Sequence, residues 1–214
     1  MPVRVRVSRL LDLFGLADTQ WFTAESRERG QVVHHISEEV LRRRPVTVPP
    51  AFDGYAEALA AGFAAIGFEP AMIEVRLTLQ HGVLQLTGRP DAIGMVSTQV
   101  GGIYPGPAII DVKSGERCPS HGVQLAIYER LADAAPALRE ALGPGWDAWP
   151  WQRIGLYVQP TGRYTLHPFT DPNDMRLAEA LLDIAAWRAV HGLLDASSDT
   201  YDDDPTDIPE EASA

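Results

Sequence analysis

The chain has 214 residues, of which 45% are hydrophobic, and its 29 acidic and 18 basic residues give a formal net charge of −11. This length suits one sizeable core with decorations, or at most two small domains. The sequence has no apolar run near the roughly 20 residues of a membrane span, no visible secretory signal and a single cysteine, Cys118. We therefore expect a cytoplasmic protein without a disulfide framework, a four-cysteine metal site or a membrane segment, and the acidic total argues against a nucleic-acid partner.

The negative charge is concentrated at one end of the chain. Residues 195–214 hold 8 acidic residues and no basic residue, which leaves 18 basic and 21 acidic residues in 1–194 and a net charge there of −3. A segment with few apolar residues and high like charge is typical of disorder. We expect one folded domain over 1–194 and an acidic, disordered tail over 195–214.

The first predicted elements are helices. Apolar spacing predicts a short helix over residues 8–15 and a long one over 24–44, with Thr23 as its N-cap and Pro45 at its end. An alanine-rich stretch with helical spacing predicts a further helix over 52–66.

The apolar period then changes to that of β-strands. Residues 72–79 and 83–87 alternate around a His-Gly turn, which predicts a hairpin. The second strand continues across Pro90, which indicates an edge, a bulge or a bend. A Gly/Pro-rich loop leads to a short apolar strand over 108–113.

The remaining elements are a helix, a second hairpin and a last helix. They are predicted over 120–134, over 153–158 with 163–166, and over 171–194, where Asp171 is the expected N-cap. The order of helices and strands predicts the α/β (α+β) class, with a central mixed β-sheet flanked by helices.

An acid and the only lysine of the chain stand together at the end of the apolar strand. Asp111 and Lys113 are two residues apart, so their side chains project to one face, while Val112 points into the core. Asp91 would join them from the neighbouring strand. Carboxylates of this kind hold a hard cation such as Mg²⁺, and a lysine steadies a nucleophilic water or the charge of the transition state. An exposed Asp–Lys ion pair is the alternative interpretation.

A series of short motifs surrounds this pair. In chain order they are RGQVVH over 29–34, Glu74 in the first strand, GRPD over 88–91, DVKSG over 111–115, and the helical stretch 121–129 with Gln124 and Tyr128. The series resembles the PD-(D/E)XK nuclease superfamily, most closely its RecB-like, phage exonuclease-like branch. The N-terminal stretches VSRLLDLFG and WFTAESRERG also resemble the lead-in of phage members.

This resemblance implies a restriction-endonuclease-like core with a catalytic part over 71–134, between a helical N-terminal part over 1–70 and a second hairpin with a C-terminal helix over 135–194. It implies a metal site whose ligands are His34, Asp91, Asp111 and the carbonyl of Val112. The implied cofactor is Mg²⁺, for which Mn²⁺ can substitute. No iron–sulfur cluster is expected, because the RecB-type relatives that carry one use four cysteines.

The resemblance also implies roles for the other site residues. Lys113 would position the attacking water and stabilise the developing charge. Gln124 and Tyr128, at i and i+4 on one helix face, would line the site and touch the scissile phosphate or a nearby base. Glu74 would orient the lysine or reach a second metal through water.

The residues themselves leave alternatives open. His34 and His35 are adjacent, and the motif spacing favours His34 as the ligand. Glu74 also fits the polar face of an amphipathic strand, and Tyr128 fits the edge of a core. The run Arg42-Arg43-Arg44 suits either a nucleic-acid backbone or the dipole at a helix end.

The leading hypothesis is a metal-dependent DNA nuclease, an exonuclease of phage-type recombination or repair in a bacterial cell or phage-infected host. Its partners would be DNA and a single-strand annealing or other recombination protein. The alternatives are a structure-selective endonuclease of the same superfamily and a catalytically silent DNA- or protein-binding module on the nuclease fold. The acidic tail would regulate the cleft, dock a partner or aid solubility. The sequence does not fix the oligomeric state. Bound cations invert the local charge of an acidic pocket, so the net charge does not exclude DNA.

Overall fold

A computed structural model of the chain describes residues 2–17, 23–45 and 47–194. The predicted acidic tail over 195–214 lies outside these residues. The described helices are α1 (Val7–Leu13), α2 (Ala24–Leu41), α3 (Asp53–Ala65), α4 (Ser120–Asp133), α5 (Pro136–Leu142) and α6 (Pro172–Val190). The described strands are β1 (Val3–Arg6), β2 (Phe68–Ile73), β3 (Leu77–His81), β4 (Leu84–Gly88), β5 (Ala92–Val96), β6 (Gly106–Lys113), β7 (Gln152–Val158) and β8 (Tyr164–Pro168).

The strands form two sheets. The central sheet has the order β2-β5-β6-β7-β8 and is mixed, because β6 and β7 run parallel while its other pairs are antiparallel. A smaller sheet has the order β1-β4-β3, with β1 parallel to β4. Helices cover the sheets, so the predicted class, a mixed α/β fold with a central mixed sheet, is confirmed.

Two apolar clusters cover the two faces of the central sheet, one on each side. Ala108, Ile110 and Val112 of β6 pack with residues of α2 and α3, whereas Ile109 packs with the cluster that contains α1, α4 and α6. A strand buried on both faces reads as a nearly continuous apolar run, which is the pattern of β6. The alternation directs Asp111 and Lys113 to the face that α4 covers.

Predicted caps fix the starts of the two longest helices. Thr23 Oγ1 accepts a hydrogen bond from the backbone N–H of Ser26 at 3.1 Å, and Asp171 Oδ1 accepts one from that of Asn173 at 2.8 Å. Both caps satisfy N–H groups that have no partner within the helix. The C-terminal ends differ from the prediction: α2 ends at Leu41 rather than at residue 44, because Arg43 adopts a left-handed φ of 56°.

The predicted strand over 72–79 is wrong in one respect: it is two strands in two different sheets. Strand β2 ends at Ile73, Glu74 turns the chain with a φ of 54°, and β3 begins at Leu77. Strand β2 pairs with β5 of the central sheet and β3 pairs with β4 of the smaller one. Glu74 therefore follows the first core strand and does not lie within it.

The chain returns to the central sheet through residues 89–91, at the predicted bend around Pro90. The two crossings lie side by side, since the backbone N–H of Glu74 donates to the backbone oxygen of Asp91 at 3.1 Å. A change of sheet thus brings two acidic side chains together. The predicted hairpin between β3 and β4 is confirmed, as is the one between β7 and β8.

Several short elements were not predicted, among them strand β1 and helix α5. Strand β1 lies within the part expected to be helical, and α5 follows α4 after a short break. Both are short, at four and seven residues, and so carry little periodic signal. Among the described helices, none combines the length and apolar character needed to cross a membrane.

The close approach of β2 and β5 generates a stability prediction. A Cβ atom on Gly94 would lie 2.1 Å from the backbone oxygen of Glu69 and 2.8 Å from Cα of Pro70. Because neither atom can move alone, we expect Gly94→Ala to lower the free energy of unfolding by roughly 1–3 kcal/mol, measured by urea denaturation.

The matched control is Gly30→Ala in α2, where a Cβ would meet nothing within 4 Å. A helical Gly→Ala change at an open position should raise the free energy of unfolding by about 0.5–1 kcal/mol. Wild-type stability of Gly94→Ala would contradict the strand geometry.

Candidate active site

The candidate site lies at the edge of the central sheet where β2 ends, β5 begins and β6 ends. These ends meet because β5 runs antiparallel to both neighbours. A cleft of about 860 Å³ opens at this edge. Every side chain singled out from the sequence as ligating or catalytic lines it, namely His34, Glu74, Asp91, Asp111, Lys113, Gln124 and Tyr128. Residues up to 94 positions apart, His34 of α2 and Tyr128 of α4, are thus brought into one cavity.

One wall of the cleft is a histidine with two carboxylates. His34 Nδ1 lies 2.9 Å from Asp91 Oδ1 and 3.9 Å from Glu74 Oε1. One ligating atom from each of the three residues lies within 4.8 Å of the others. The neighbouring His35 is exposed on the rim of the cleft. The structure therefore brings His34, and not His35, to the acidic pair.

Asp91 is fixed by the backbone of β6. Its Oδ2 accepts a hydrogen bond from the Val112 N–H at 2.5 Å. The ladder between β5 and β6 stops at the pair Ala92–Ile110, so the Asp91 side chain replaces a strand partner for the next part of β6. The observed contact of Val112 is through its N–H. A role for its carbonyl in metal binding stays a prediction.

The other wall is a row of polar contacts from β6 to α4. Lys113 Nζ lies 2.6 Å from Asp111 Oδ2 and donates to Gln124 Oε1 at 3.2 Å, and Gln124 Nε2 donates to the Tyr128 hydroxyl at 3.2 Å. The Tyr128 oxygen accepts this bond, so its own proton remains able to donate. Gln124 and Tyr128 hold the same helix face, as their spacing predicts.

The Asp111–Lys113 contact is an ion pair without hydrogen-bond geometry. Asp111 Oδ2 is buried and has no hydrogen-bond partner among the described residues. Burial raises the pKa of Asp111, the Asp91 carboxylate adds to this, and the Lys113 ammonium opposes it. Burial alone would lower the pKa of Lys113, but the Asp111 and Asp91 carboxylates raise it above its ordinary value. Lys113 is therefore a cation at neutral pH.

The histidine wall is also strongly coupled. The Asp91 carboxylate raises the pKa of His34 to about 9, against the effect of burial. Burial alone would raise the pKa of Asp91, but His34, Lys113 and the Val112 N–H together hold it below its ordinary value. Burial and then Asp91 raise the pKa of Glu74 to about 8, although Arg89 and His34 oppose the shift. The two carboxylates of the wall are thus close enough for the Asp91 charge to raise the pKa of Glu74.

These residues fit a divalent metal ion. Carboxylate oxygens are the donors that hard cations prefer, and imidazole is a ligand for several divalent metals. The compact donor group is His34, Glu74 and Asp91, and the buried Asp111 Oδ2 lacks a hydrogen bond. Glu74 belongs to this group beside His34, whereas Asp111 is paired with Lys113, so the role of Asp111 as a ligand stays a prediction.

Of the two roles expected for Glu74, the contact with the lysine is absent among the described contacts, and the one toward a second metal stays a prediction. Glu74 Oε2 lies 3.0 Å from Nε of Arg89, while Lys113 is held by Asp111 and Gln124. Arg89 stands inside the GRPD motif but at a position that the motif leaves unspecified, so only its place between a strand end and an acid could have pointed to it.

Arginines also line the rim of the cleft. Arg42, Arg76 and Arg89 are among its lining residues. Arg42, the first arginine of the predicted basic run, lies 2.9 Å from Glu38 Oε1. The other two arginines of that run contact Glu39 and Glu69. The run therefore contributes one residue to the cleft.

Comparison with known proteins gives one match at the level of family. The family model of the PD-(D/E)XK nuclease superfamily matches residues 6–197. Among solved structures, the chain is similar to a "Putative exonuclease" from Eubacterium rectale, with 12% sequence identity, a TM-score of 0.46, and coverage of 87% of this chain and 74% of that one. No curated protein matches the chain. Because the family model spans most of the sequence, the chain belongs to the PD-(D/E)XK nuclease superfamily.

Proposed function

We propose that this nuclease is a Mg²⁺-dependent deoxyribonuclease of the RecB-like, phage exonuclease-like branch, acting as an exonuclease in recombination or repair. The observation that carries the proposal is the cleft itself. One wall holds the three possible metal ligands His34, Glu74 and Asp91. The other wall holds the ion pair of Asp111 and Lys113, followed by Gln124 and Tyr128. The proposal includes one nuclease domain over 1–194, followed by the acidic tail.

In the proposed phosphodiester hydrolysis, each side chain of the cleft has a separate role. His34, Glu74, Asp91 and Asp111 would hold the divalent ion, with the Val112 carbonyl as a further ligand. A bound divalent ion supplies a more acidic water and a countercharge for the leaving oxygen. Lys113, held by Asp111 and Gln124, presents an ammonium that orients a water and stabilises negative charge as it develops. Tyr128 adds a hydroxyl that can donate to a phosphate oxygen.

The rim arginines support a DNA substrate. Arg42, Arg76 and Arg89 lie around the same cleft as Lys113. Contacts of arginine with phosphates position a nucleic acid without reading its sequence. A chain whose residues 1–194 carry a net charge of only −3 can therefore bind a polyanion through a local set of cations.

The exonuclease assignment is supported by the motif series, which is most similar to the phage branch. It implies a partner that receives the single strand it exposes, such as an annealing or other recombination protein. An endonuclease of the same superfamily would use the same walls of the cleft, so substrate topology separates the two.

The first prediction concerns the metal and the ion pair. Purified protein with Mg²⁺ or Mn²⁺ should degrade linear DNA, and EDTA should abolish the activity. Asp111→Asn and Lys113→Met keep the size of each side chain and remove its charge, so each should lower kcat by roughly 10²–10³-fold.

The control variant is Arg139→Ala on α5, which lies outside the cleft and should retain activity. Thermal unfolding should show that the two charge variants are folded. Full activity in either charge variant would remove Lys113 or Asp111 from the mechanism.

The second prediction concerns substrate topology. An exonuclease needs a strand end, so linear duplex should be degraded while covalently closed circular DNA of the same sequence stays intact. Gel analysis over time checks this, with the circle linearised by a restriction enzyme as the control. Cleavage of the closed circle at a comparable rate would show an endonuclease.

The third prediction tests Gln124 as the residue that positions Lys113. Gln124→Leu removes the acceptor of the lysine ammonium and should lower kcat roughly tenfold, with KM little changed, because a hydrogen bond to a charged group is lost. Gln124→Glu keeps an acceptor and should recover part of the loss, whereas Tyr128→Phe should cost less than Gln124→Leu. A wild-type kcat in Gln124→Leu would contradict the assignment.

A further inference from the structure

A second group of polar side chains lies beyond Lys113 on the same face of the central sheet. Tyr157 of β7 is the lateral partner of Lys113, and His167 of β8 is the partner of Gly155, which itself pairs with Asp111. Lateral partners in a sheet project to the same face. The polar surface therefore continues from β6 across β7 to the edge strand β8.

Helix α4 adds to this surface. His121 stands three residues before Gln124, so the two share a helix face. The His121 and Tyr157 rings stack with their centroids 5.9 Å apart. The face of α4 that holds Lys113 through Gln124 thus extends past the lysine to a histidine and a tyrosine.

Gly155 makes room for the tyrosine ring. A Cβ at this position would lie 2.7 Å from Cε2 of Tyr157 and 3.1 Å from its hydroxyl oxygen. The ring therefore folds back along β7 over the glycine. This places the hydroxyl beside His121 Nδ1, at 2.8 Å.

The hydrogen bonds of His121 define its tautomer. Nδ1 accepts from the backbone N–H of Cys118 at 3.3 Å, and a backbone N–H can only donate. Burial and then the Lys113 ammonium lower the pKa of His121 to about 4, so the ring is neutral at pH 7 and its proton is on Nε2. Within the described part of the chain no acceptor bonds to Nε2. His121 thus presents an N–H donor held in a fixed direction.

A guanidinium extends this surface at the edge strand β8. Arg117 is exposed, and its Nη1 lies 3.0 Å from His167 Nδ1. Burial and then Arg117 lower the pKa of His167, so this ring is a neutral acceptor that holds the guanidinium. Among the carboxylates of the adjacent helices, Glu129 of α4 and Asp174 of α6 lie 3.6 and 3.7 Å from the buried Arg153, which neutralises much of their charge. Glu116, beside Arg117 in the sequence, is exposed.

We propose that Arg117 and His121 form a second phosphate-binding subsite, which holds the nucleic-acid strand on the side of Lys113 away from His34 and Asp91. The Tyr157 hydroxyl donates to His121 Nδ1 and so orients the ring. A cation combined with a neutral N–H donor is a set that binds phosphate oxygens. The subsite deepens the proposed nuclease function and rests on it.

The spacing suits a strand that passes through the reaction site. One to two strand separations, from β6 to β7 and β8, amount to roughly 5–10 Å. A nucleic-acid strand advances roughly 3.4 Å of axis per phosphate, so the phosphate held here is one to three positions from the one at Lys113. The bound group is either an internal diester or the monoester at a strand end.

The test compares Arg117→Ala and His121→Phe in the full chain. A remote contact acts equally in the ground state and the transition state, so each variant should raise KM roughly tenfold with kcat unchanged. Affinity for a fluorescent oligonucleotide in EDTA, where no cleavage occurs, should fall by a similar factor. Arg117→Ala should reduce the slope of log K against log salt by about 0.7–0.9, whereas His121→Phe, which removes no charge, should leave it unchanged.

Controls separate the subsite from general effects. Arg139→Ala lies on α5, which packs against β2 at the opposite edge of the sheet, and should bind as the wild type does. Arg117→Lys keeps the charge and should keep the salt slope, and thermal unfolding identifies a variant that does not fold. Oligonucleotides with a terminal phosphate or a terminal hydroxyl distinguish the two phosphate sources. A penalty from Arg117→Ala only with the phosphorylated end identifies the monoester, and an equal penalty identifies the diester.

The result that overturns the subsite is wild-type affinity and KM in both Arg117→Ala and His121→Phe. A fall in kcat without a change in KM in His121→Phe would also overturn it, since the histidine would then act through Lys113. A wild-type protein without metal-dependent cleavage would refute the proposed nuclease function. The binding measurement in EDTA would still decide the subsite.

Discussion

The carboxylate of Asp91 is the contact through which the parts of the cleft are joined. Oδ1 contacts His34 of α2, and Oδ2 accepts a hydrogen bond from the Val112 N–H of β6. The backbone oxygen of Asp91 also accepts one from the backbone N–H of Glu74. One residue in the crossing between two sheets therefore fixes three separate segments. A carboxylate that is fully engaged in this way keeps its charge, which is what a cation site requires.

The buried ion pair of Asp111 and Lys113 has a different physical character. Moving two charges out of water costs more than their attraction regains unless further bonds satisfy them, and Asp111 Oδ2 has no hydrogen bond among the described residues. The pair is therefore a poor source of stability. Its place beside the acidic group is explained by the proposed chemistry, which requires a cation held in a fixed position next to the reacting phosphate.

The limits of sequence reasoning follow from particular residues. Thr23 and Asp171 predict helix starts correctly, because their side chains accept hydrogen bonds from N–H groups a few residues away. The His-Gly turn predicts a hairpin for a similarly local reason. The bend at Glu74 is not predicted by the sequence, because the apolar alternation continues from β2 into β3 although the two strands belong to different sheets. The motifs predict which side chains line the cleft. They do not predict that Glu74 stands beside His34 or that Asp111 pairs with the lysine, since these depend on distances between segments.

The two sheet crossings also bear on how the chain folds. Glu74 and Asp91 meet only when β2 and β5 have joined the central sheet and β3 and β4 have formed the smaller one. His34 is separated from both by a further helix. Contacts between residues so distant in sequence form late, because the entropy of closing long loops must first be offset. A chain with either sheet incomplete therefore lacks an assembled cleft, which couples the appearance of nuclease activity to the last stage of folding.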